Sequence, residues 1–135
     1  MRIPHDLERD PFGGVCPYHG DCLEGLASGE AMRQRRPNAA HWDTEMIDLE
    51  AGYLALGLLN VIAVLSPQRI ILGGGVMRQR GLIEAIRFRV QELAAGYFQA
   101  PELDSGIDEY IVPPGLGDRA GVLGALELAR RSVVQ

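Results

Sequence analysis

The segment Cys16-Pro17-Tyr18-His19-Gly20-Asp21-Cys22 brings two thiols and an imidazole together at C-x₂-H-x₂-C spacing, with His5 eleven positions before Cys16. Zinc takes four nitrogen or sulfur ligands in a tetrahedron, and short spacings let one loop wrap the ion. A set of His5, Cys16, His19 and Cys22 would leave no open coordination position, so such a zinc would be structural. Gly20 supplies the backbone freedom that a wrapping turn requires. The competing reading is a pair of buried free thiols beside a surface histidine. A catalytic thiolate needs a base and a group that orients the base; the segment offers one histidine and no third group.

Two further features bear on chemistry. Glu24 follows the loop by two residues. If Asp21 caps a helix, Glu24 falls at its third position, completing a capping box; the alternative is a carboxylate aimed at a polar ligand and held by the loop. Gly73-Gly74-Gly75 follows a β-branched run and precedes a helical pattern. Such a turn can bring backbone close to a nucleotide. It is neither G-x-G-x-x-G nor a phosphate loop, because no Lys-Ser/Thr follows, and a tight connection explains it equally. Pro114-Gly115-Leu116-Gly117 forms a second turn after a second short apolar run. If both runs are parallel strands, both turns lie at the sheet edge where α/β proteins bind ligands.

The elements that must position these groups are legible in outline. A helix is expected from Cys22 through Arg36, until Pro37-Asn38 breaks the pattern. A long helix follows over about residues 44–65, acidic in its first turn and apolar nearly all round beyond Ala51, hence buried. Ser66-Pro67 ends it. Arg69-Ile70-Ile71-Leu72 reads as a buried strand. Leu82, Ile83, Ile86, Val90 and Leu93 then mark an amphipathic helix over about 79–97. Tyr110-Ile111-Val112 reads as a second strand, stopped by Pro113-Pro114, and a last helix spans about 118–131. This is an α/β order with a parallel crossover. Two strands are few for four helices, so the sheet is expected to be incomplete and the chain a single partial domain. Its loop would occupy residues 1–22 and its helical-and-strand body 23–135.

Composition sets the outer bounds. The chain has 135 residues, 47% hydrophobic and 23% charged, which is globular rather than disordered. Its net charge of −5 argues against nucleic acid as a partner. All 13 basic residues are arginine, which excludes a phosphate-binding or Schiff-base lysine. The longest apolar run, Ala51 to Leu65, falls short of the ~20 residues that cross a bilayer, so no membrane is expected. The N-terminus shows no signal-peptide pattern. The cytoplasm is the expected location, where both cysteines stay reduced.

The stretch from Cys16 to Gly29, reading CPYHGDCLEGLASG, resembles the zinc-loop signature of the ROK family (repressors, open reading frames, kinases), in the form found in its bacterial fructokinases. Ile70-Ile71-Leu72-Gly73-Gly74-Gly75-Val76-Met77, Tyr110 to Pro114, and Ala120-Gly121 match that group in order, so the resemblance covers almost the whole chain. It implies the C-terminal lobe of the actin-like and hexokinase-like (ribonuclease H-like) ATPase fold. It implies ATP-dependent phosphorylation of fructose or a related hexose to the 6-phosphate, with magnesium. It also implies zinc on His5, Cys16, His19 and Cys22, a sugar contact from Glu24, and adenosine beside Gly73, Gly74 and Gly75.

The departures matter as much. The family's phosphate-binding D-x-G-G-T, its general-base Asp and the E-x-G-H segment are absent from this sequence. No catalytic residue is therefore assigned here, and the chain is expected to need an N-terminal lobe and to be inactive alone. A sugar-responsive regulator and a zinc-stabilised remnant are the alternative functions. Unpaired strand edges and the apolar face from Leu54 to Leu65 lead to an expectation of self-association.

Overall fold

In the computed structural model, which describes residues 1–37, 39 and 41–133, a 22-residue helix forms the spine of the molecule. The elements run α1 (Leu23–Leu26), α2 (Gly29–Arg35), α3 (Thr44–Leu65), β1 (Ile70–Ile71), α4 (Leu82–Ala94), α5 (Ile107–Tyr110), β2 (Ile111–Val112) and α6 (Ala120–Val133), with short 3₁₀ turns before α4, α5 and α6. Asn38, half of the expected Pro37-Asn38 break, lies outside the described residues.

Helix α3 starts where the Asp43 side chain accepts from the Met46 N–H at 2.9 Å, satisfying one of the orphan donors of the first turn. It stops at Ser66, whose backbone turns left-handed ahead of Pro67. The helix is long and apolar enough to cross a membrane, yet it packs against α4 on one side and α1 on another. Ala51, Ala55 and Ile62 of α3 join Leu82, Ile86 and Val90 of α4, Ile70 of β1 and Ile111 of β2 in the main core. Ile3, Leu26 and Tyr53 make a second, smaller core under the N-terminal loop. The expected contact face from Leu54 to Leu65 is divided: Leu54 and Leu58 pack on the main core, while Val64 and Leu65 are exposed.

The two strands pair in parallel, with Ile70 opposite Ile111 and Ile71 opposite Val112. This is the expected crossover, with α4 in the connection. Both strands are shorter than the sequence suggests. Tyr110 belongs to a helical turn, because its N–H reaches the Gly106 carbonyl at 3.0 Å. In α4 the buried positions are Leu82, Ile86, Val90 and Ala94, a stripe at every fourth residue, and Leu93 is exposed. The expected helix from Cys22 to Arg36 is two helices. Ser28 interrupts it by accepting from the Ala31 N–H at 3.2 Å, which starts α2 afresh. The small residues of α6 meet no neighbour closely enough to bury any residue of that helix.

One residue of α3 breaks the rule that buried carboxyls are paired. Glu50 is fully buried and both its side-chain oxygens lack a hydrogen-bond partner among the described residues. Burial pushes its pKa up to about 8, and the Arg35 charge only partly opposes that. Glu50 therefore carries its proton at neutral pH. The folded pKa lies above the unfolded one, so the folded state holds the extra proton between them. Stability is unimpaired below about 4.5 and declines as pH rises towards about 8, with a slope of at most about 1.4 kcal/mol per pH unit. Glu50→Gln should flatten that decline, leaving the variant the more stable form at pH 8.5 in thermal melts taken from pH 5 upward. A wild-type melting temperature that does not fall over this range would contradict the assignment.

Candidate metal loop and glycine cleft

The metal-ligating side chains are gathered by a tight hairpin. Cys16 N–H donates to the Gly20 carbonyl at 3.3 Å and Gly20 N–H returns to the Cys16 carbonyl at 2.9 Å. Pro17, Tyr18 and His19 form the tip, and Gly20 closes it at φ +60°, a conformation that costs glycine little. Helix α1 begins immediately after, with Cys22 as its N-cap. The loop lies directly on that helix: Val15 N–H reaches the Gly25 carbonyl at 3.0 Å. A Cβ on Gly25 would stand 1.8 Å from the Gly20 carbonyl oxygen, so Gly25 is the residue that lets hairpin and helix touch. Sequence reasoning missed it; its signal is the glycine three residues after Cys22.

Ligand atoms of Cys16, His19 and Cys22 all lie within 4.8 Å of one another. Cys22 is buried, Cys16 half-buried and His19 exposed, and both thiols are free. Cys16 Sγ is 3.7 Å from His19 Nδ1. Tetrahedral zinc with Zn–S ≈ 2.3 Å and Zn–N ≈ 2.0–2.1 Å separates a sulfur and a nitrogen ligand by roughly 3.6 Å, so this pair fits. The backbone N–H groups of Tyr18 and His19, aided by the His19 and Cys22 side chains and opposed by burial, bring the Cys16 pKa down to about 7. The thiolate a metal needs is thus well populated at neutral pH.

His5 stands apart from that trio. Its Nε2 lies 2.9 Å from the Asp10 carbonyl, and because a carbonyl only accepts, Nε2 carries the proton. Nδ1 is buried without a hydrogen-bond partner, 3.5 Å from an Asp21 carboxylate oxygen. A histidine whose outer nitrogen is tied to a carbonyl and whose inner lone pair is orphaned has the form of a metal ligand held by its backbone partner.

Asp21 does not cap α1. Its carboxylate pairs with Arg2 and faces His5, so the capping-box reading of Glu24 fails. Glu24 sits exposed in the first turn of α1, and its carboxylate makes no hydrogen bond among the described residues.

Behind the loop is a buried ion pair absent from the sequence reading. Asp10 receives Arg35 Nη2 at 2.6 Å and Nε at 3.2 Å, and Tyr53 Oη at 2.6 Å. Burial raises the Asp10 pKa, but the hydrogen bonds from Arg35 and Tyr53 outweigh it and hold the carboxyl below its ordinary value. The Arg35 guanidinium also lies 4.4 Å over the Phe12 ring and donates to the Leu26 carbonyl at 2.7 Å. The N-terminal loop, α1, α2 and α3 are thereby fastened at one point.

The glycine run lies elsewhere, at the C-terminal end of β1. Gly73, Gly74 and Gly75 line a cleft of about 590 Å³ with Met77, Arg78, Pro114 and Asp118. As expected for parallel strands, the turns after β1 and β2 share this cleft. Arg78 and Asp118 pair across it at 3.2 Å.

A model of the ROK family matches residues 5–132. The chain is 43% identical over 127 residues to a putative fructokinase of Bacillus subtilis (strain 168), a match covering 92% of this chain and 42% of the relative. It is 43% identical over 133 residues to a fructokinase of Zymomonas mobilis, covering 94% and 42%. With a fructokinase of Pediococcus pentosaceus it shares 39% over 136 residues, covering 98% and 46%. The chain thus spans less than half the length of the curated relatives it matches.

Proposed function

The chain belongs to the ROK family, and we propose that it is the C-terminal, sugar- and adenosine-binding lobe of a cytoplasmic ATP-dependent hexose kinase that converts fructose to fructose 6-phosphate. The observation that carries this reading is the match to fructokinases along nearly the whole chain, metal loop and glycine cleft included. ATP with magnesium is the cosubstrate, and the complete enzyme is a homo-oligomer that acts on neither nucleic acid nor membrane.

In this reading His5, Cys16, His19 and Cys22 hold zinc, which supplies rigidity and takes no part in the reaction. Glu24, freed from capping, accepts from a sugar hydroxyl and fixes the hexose beside α1. The backbone of Gly73, Gly74 and Gly75 lies against adenosine in the cleft above β1 and β2. Phosphoryl transfer needs an in-line hydroxyl, a base to take its proton and groups to hold the β- and γ-phosphates. This chain offers the binding and orienting groups. The base and phosphate cradle belong to the complementary lobe; within this chain we take residues 1–22 as the metal loop and 23–135 as the kinase lobe.

The test is ADP release with fructose, mannose and glucose, on the chain alone and on the chain joined to the complementary portion of a fructokinase relative. The chain alone should show no turnover, since a positioned base is worth roughly 10²–10⁴ in rate. The joined enzyme should turn over with fructose preferred. Turnover by the chain alone, above a Cys16→Ser control, would show that the base lies within it. Glucose preferred by about tenfold, which is about 1.4 kcal/mol of transition-state discrimination, would remove fructose as the substrate.

A further inference from the structure

A second cavity, of about 330 Å³, lies at the other end of the strands from the glycine run. Ser66, Pro67 and Gln68 on its lining lead into β1, and Tyr110 leads into β2. Because the strands are parallel, this cavity sits at their N-terminal ends and the glycine cleft at their C-terminal ends. Its volume falls at the lower end of the ~300–1,000 Å³ usual for small-molecule sites. Ile62, Pro67, Ala100 and Leu103 give it an apolar lining. The wall over residues 98–103 is held by its own backbone, Ala100 N–H donating to the Phe98 carbonyl and Leu103 N–H to the Ala100 carbonyl, both at 2.9 Å. Gln91 of α4 fastens the same wall, its Nε2 donating to the Leu103 and Asp104 carbonyls at 3.2 and 2.8 Å.

Two aromatic rings, Phe98 and Tyr110, complete the lining. Tyr110 is 5% exposed, and a buried tyrosine hydroxyl ordinarily finds a partner. The Tyr110 hydroxyl finds none among the described residues, whereas the hydroxyl of Tyr53, equally buried, donates to Asp10 at 2.6 Å. Among the described residues the one charged group at the lining is the Glu102 carboxylate, and it enters no ion pair. Burial and the Glu102 charge both raise the Tyr110 pKa, so carboxylate and hydroxyl act on the same space. Arg69, next in the chain to Gln68, is turned to the Glu109 carbonyl at 3.1 Å and brings no opposing charge to the lining. Aromatic faces and a lone carboxylate both attract a cation, and a hydroxyl without a partner can accept its N–H. We propose that this cavity binds a small primary amine with an apolar body, its ammonium held by Glu102 and the Tyr110 hydroxyl and its body lying against Ile62, Phe98 and Leu103. The inference does not depend on the reading of the chain as one lobe of a kinase.

The experiment titrates the chain with 2-phenylethylamine by calorimetry, beside three compounds that each lack one feature. Saturable binding of the amine is expected, with a Kd of about 1 mM or tighter. 2-Phenylethanol keeps the body and loses the charge; it should bind at least about tenfold more weakly. Methylammonium keeps the charge and loses the body, and should bind more weakly by a similar factor or more. 3-Phenylpropionate carries the opposite charge and should not bind. Glu102 is exposed, so Glu102→Gln leaves the fold intact; it should bring the amine down to the level of the alcohol and leave the alcohol unchanged. Tyr110→Phe keeps the ring and should weaken the amine by about three- to tenfold. Absence of saturable amine binding, equal affinity for amine and alcohol, or equal affinity for amine and methylammonium would overturn the proposal. So would amine binding untouched by both variants, because the amine then sits elsewhere on an acidic protein. Amine affinity that falls as the concentration of the chain rises would give the cavity to an arginine of a second copy and overturn it as well.

Discussion

One zinc ion per chain should be recovered from protein purified without added metal, and removing it should cost much of the fold's stability. The motivation is the gathering of Cys16, His19 and Cys22 ligand atoms within 4.8 Å of one another, with His5, whose Nδ1 is buried without a partner, proposed as the fourth ligand. Zinc binding to a site that the unfolded chain lacks is folding free energy. Free zinc a thousandfold above its dissociation constant adds about 4 kcal/mol, on the order of 12–20 °C in melting temperature for a chain of this size. Chelation, Cys16→Ser and Cys22→Ser should each lower the melting temperature by that order, and chelator should then have little further effect on the variants. His5→Ala should weaken zinc affinity while leaving three ligands in place. A metal-free chain melting at the same temperature as the zinc-loaded one would refute the site.

The gathering of Cys16, His19 and Cys22 was legible because it is local. Cys16, His19 and Cys22 fall within seven residues, and a hairpin with a positive-φ glycine is the economical way to bring them together. Helix α3 was legible for the same reason, since a cap at Asp43 and a stop at Ser66-Pro67 bound one continuous apolar pattern. What sequence reasoning could not reach is what distant residues do to each other. Asp21 looks like an N-cap until Arg2, nineteen positions away, claims its carboxylate. Ser28 looks like one more helical residue until its hydroxyl starts α2. The solitary burial of Glu50 has no local signature either. The strands contracted because a two-residue ladder in each is all that the pairing between them sustains.

Asp10→Ala should be among the most destabilising single substitutions in this chain, more so than the loss of any one surface ion pair. The Asp10 and Arg35 side chains are 5% and 9% exposed, and removing one partner of a buried pair leaves the other charged and unsolvated, at a cost of about 3–5 kcal/mol. Surface pairs such as Arg78–Asp118 are worth about 0–1 kcal/mol. The effect should depend on pH in a definite sense. The Asp10 pKa is depressed in the folded state below its ordinary 3.8. Its contribution is therefore complete above that value and is lost as pH falls through the lower, folded one. Wild type and variant should differ fully at pH 6 and converge in strong acid. Arg35→Met in the Asp10→Ala background should recover part of the loss, because no charge is then stranded, and the two substitutions should be strongly non-additive. The backbone adds a link to the metal: the Asp10 carbonyl is what His5 Nε2–H donates to. Loosening the Asp10 loop should let His5 turn and so weaken zinc binding, although Asp10 touches none of Cys16, His19 or Cys22. Parallel denaturant melts and zinc titrations on wild type, both single variants and the double variant measure these couplings. Additive losses, or unchanged zinc affinity in Asp10→Ala, would show that the ion pair and the metal loop are independent structures.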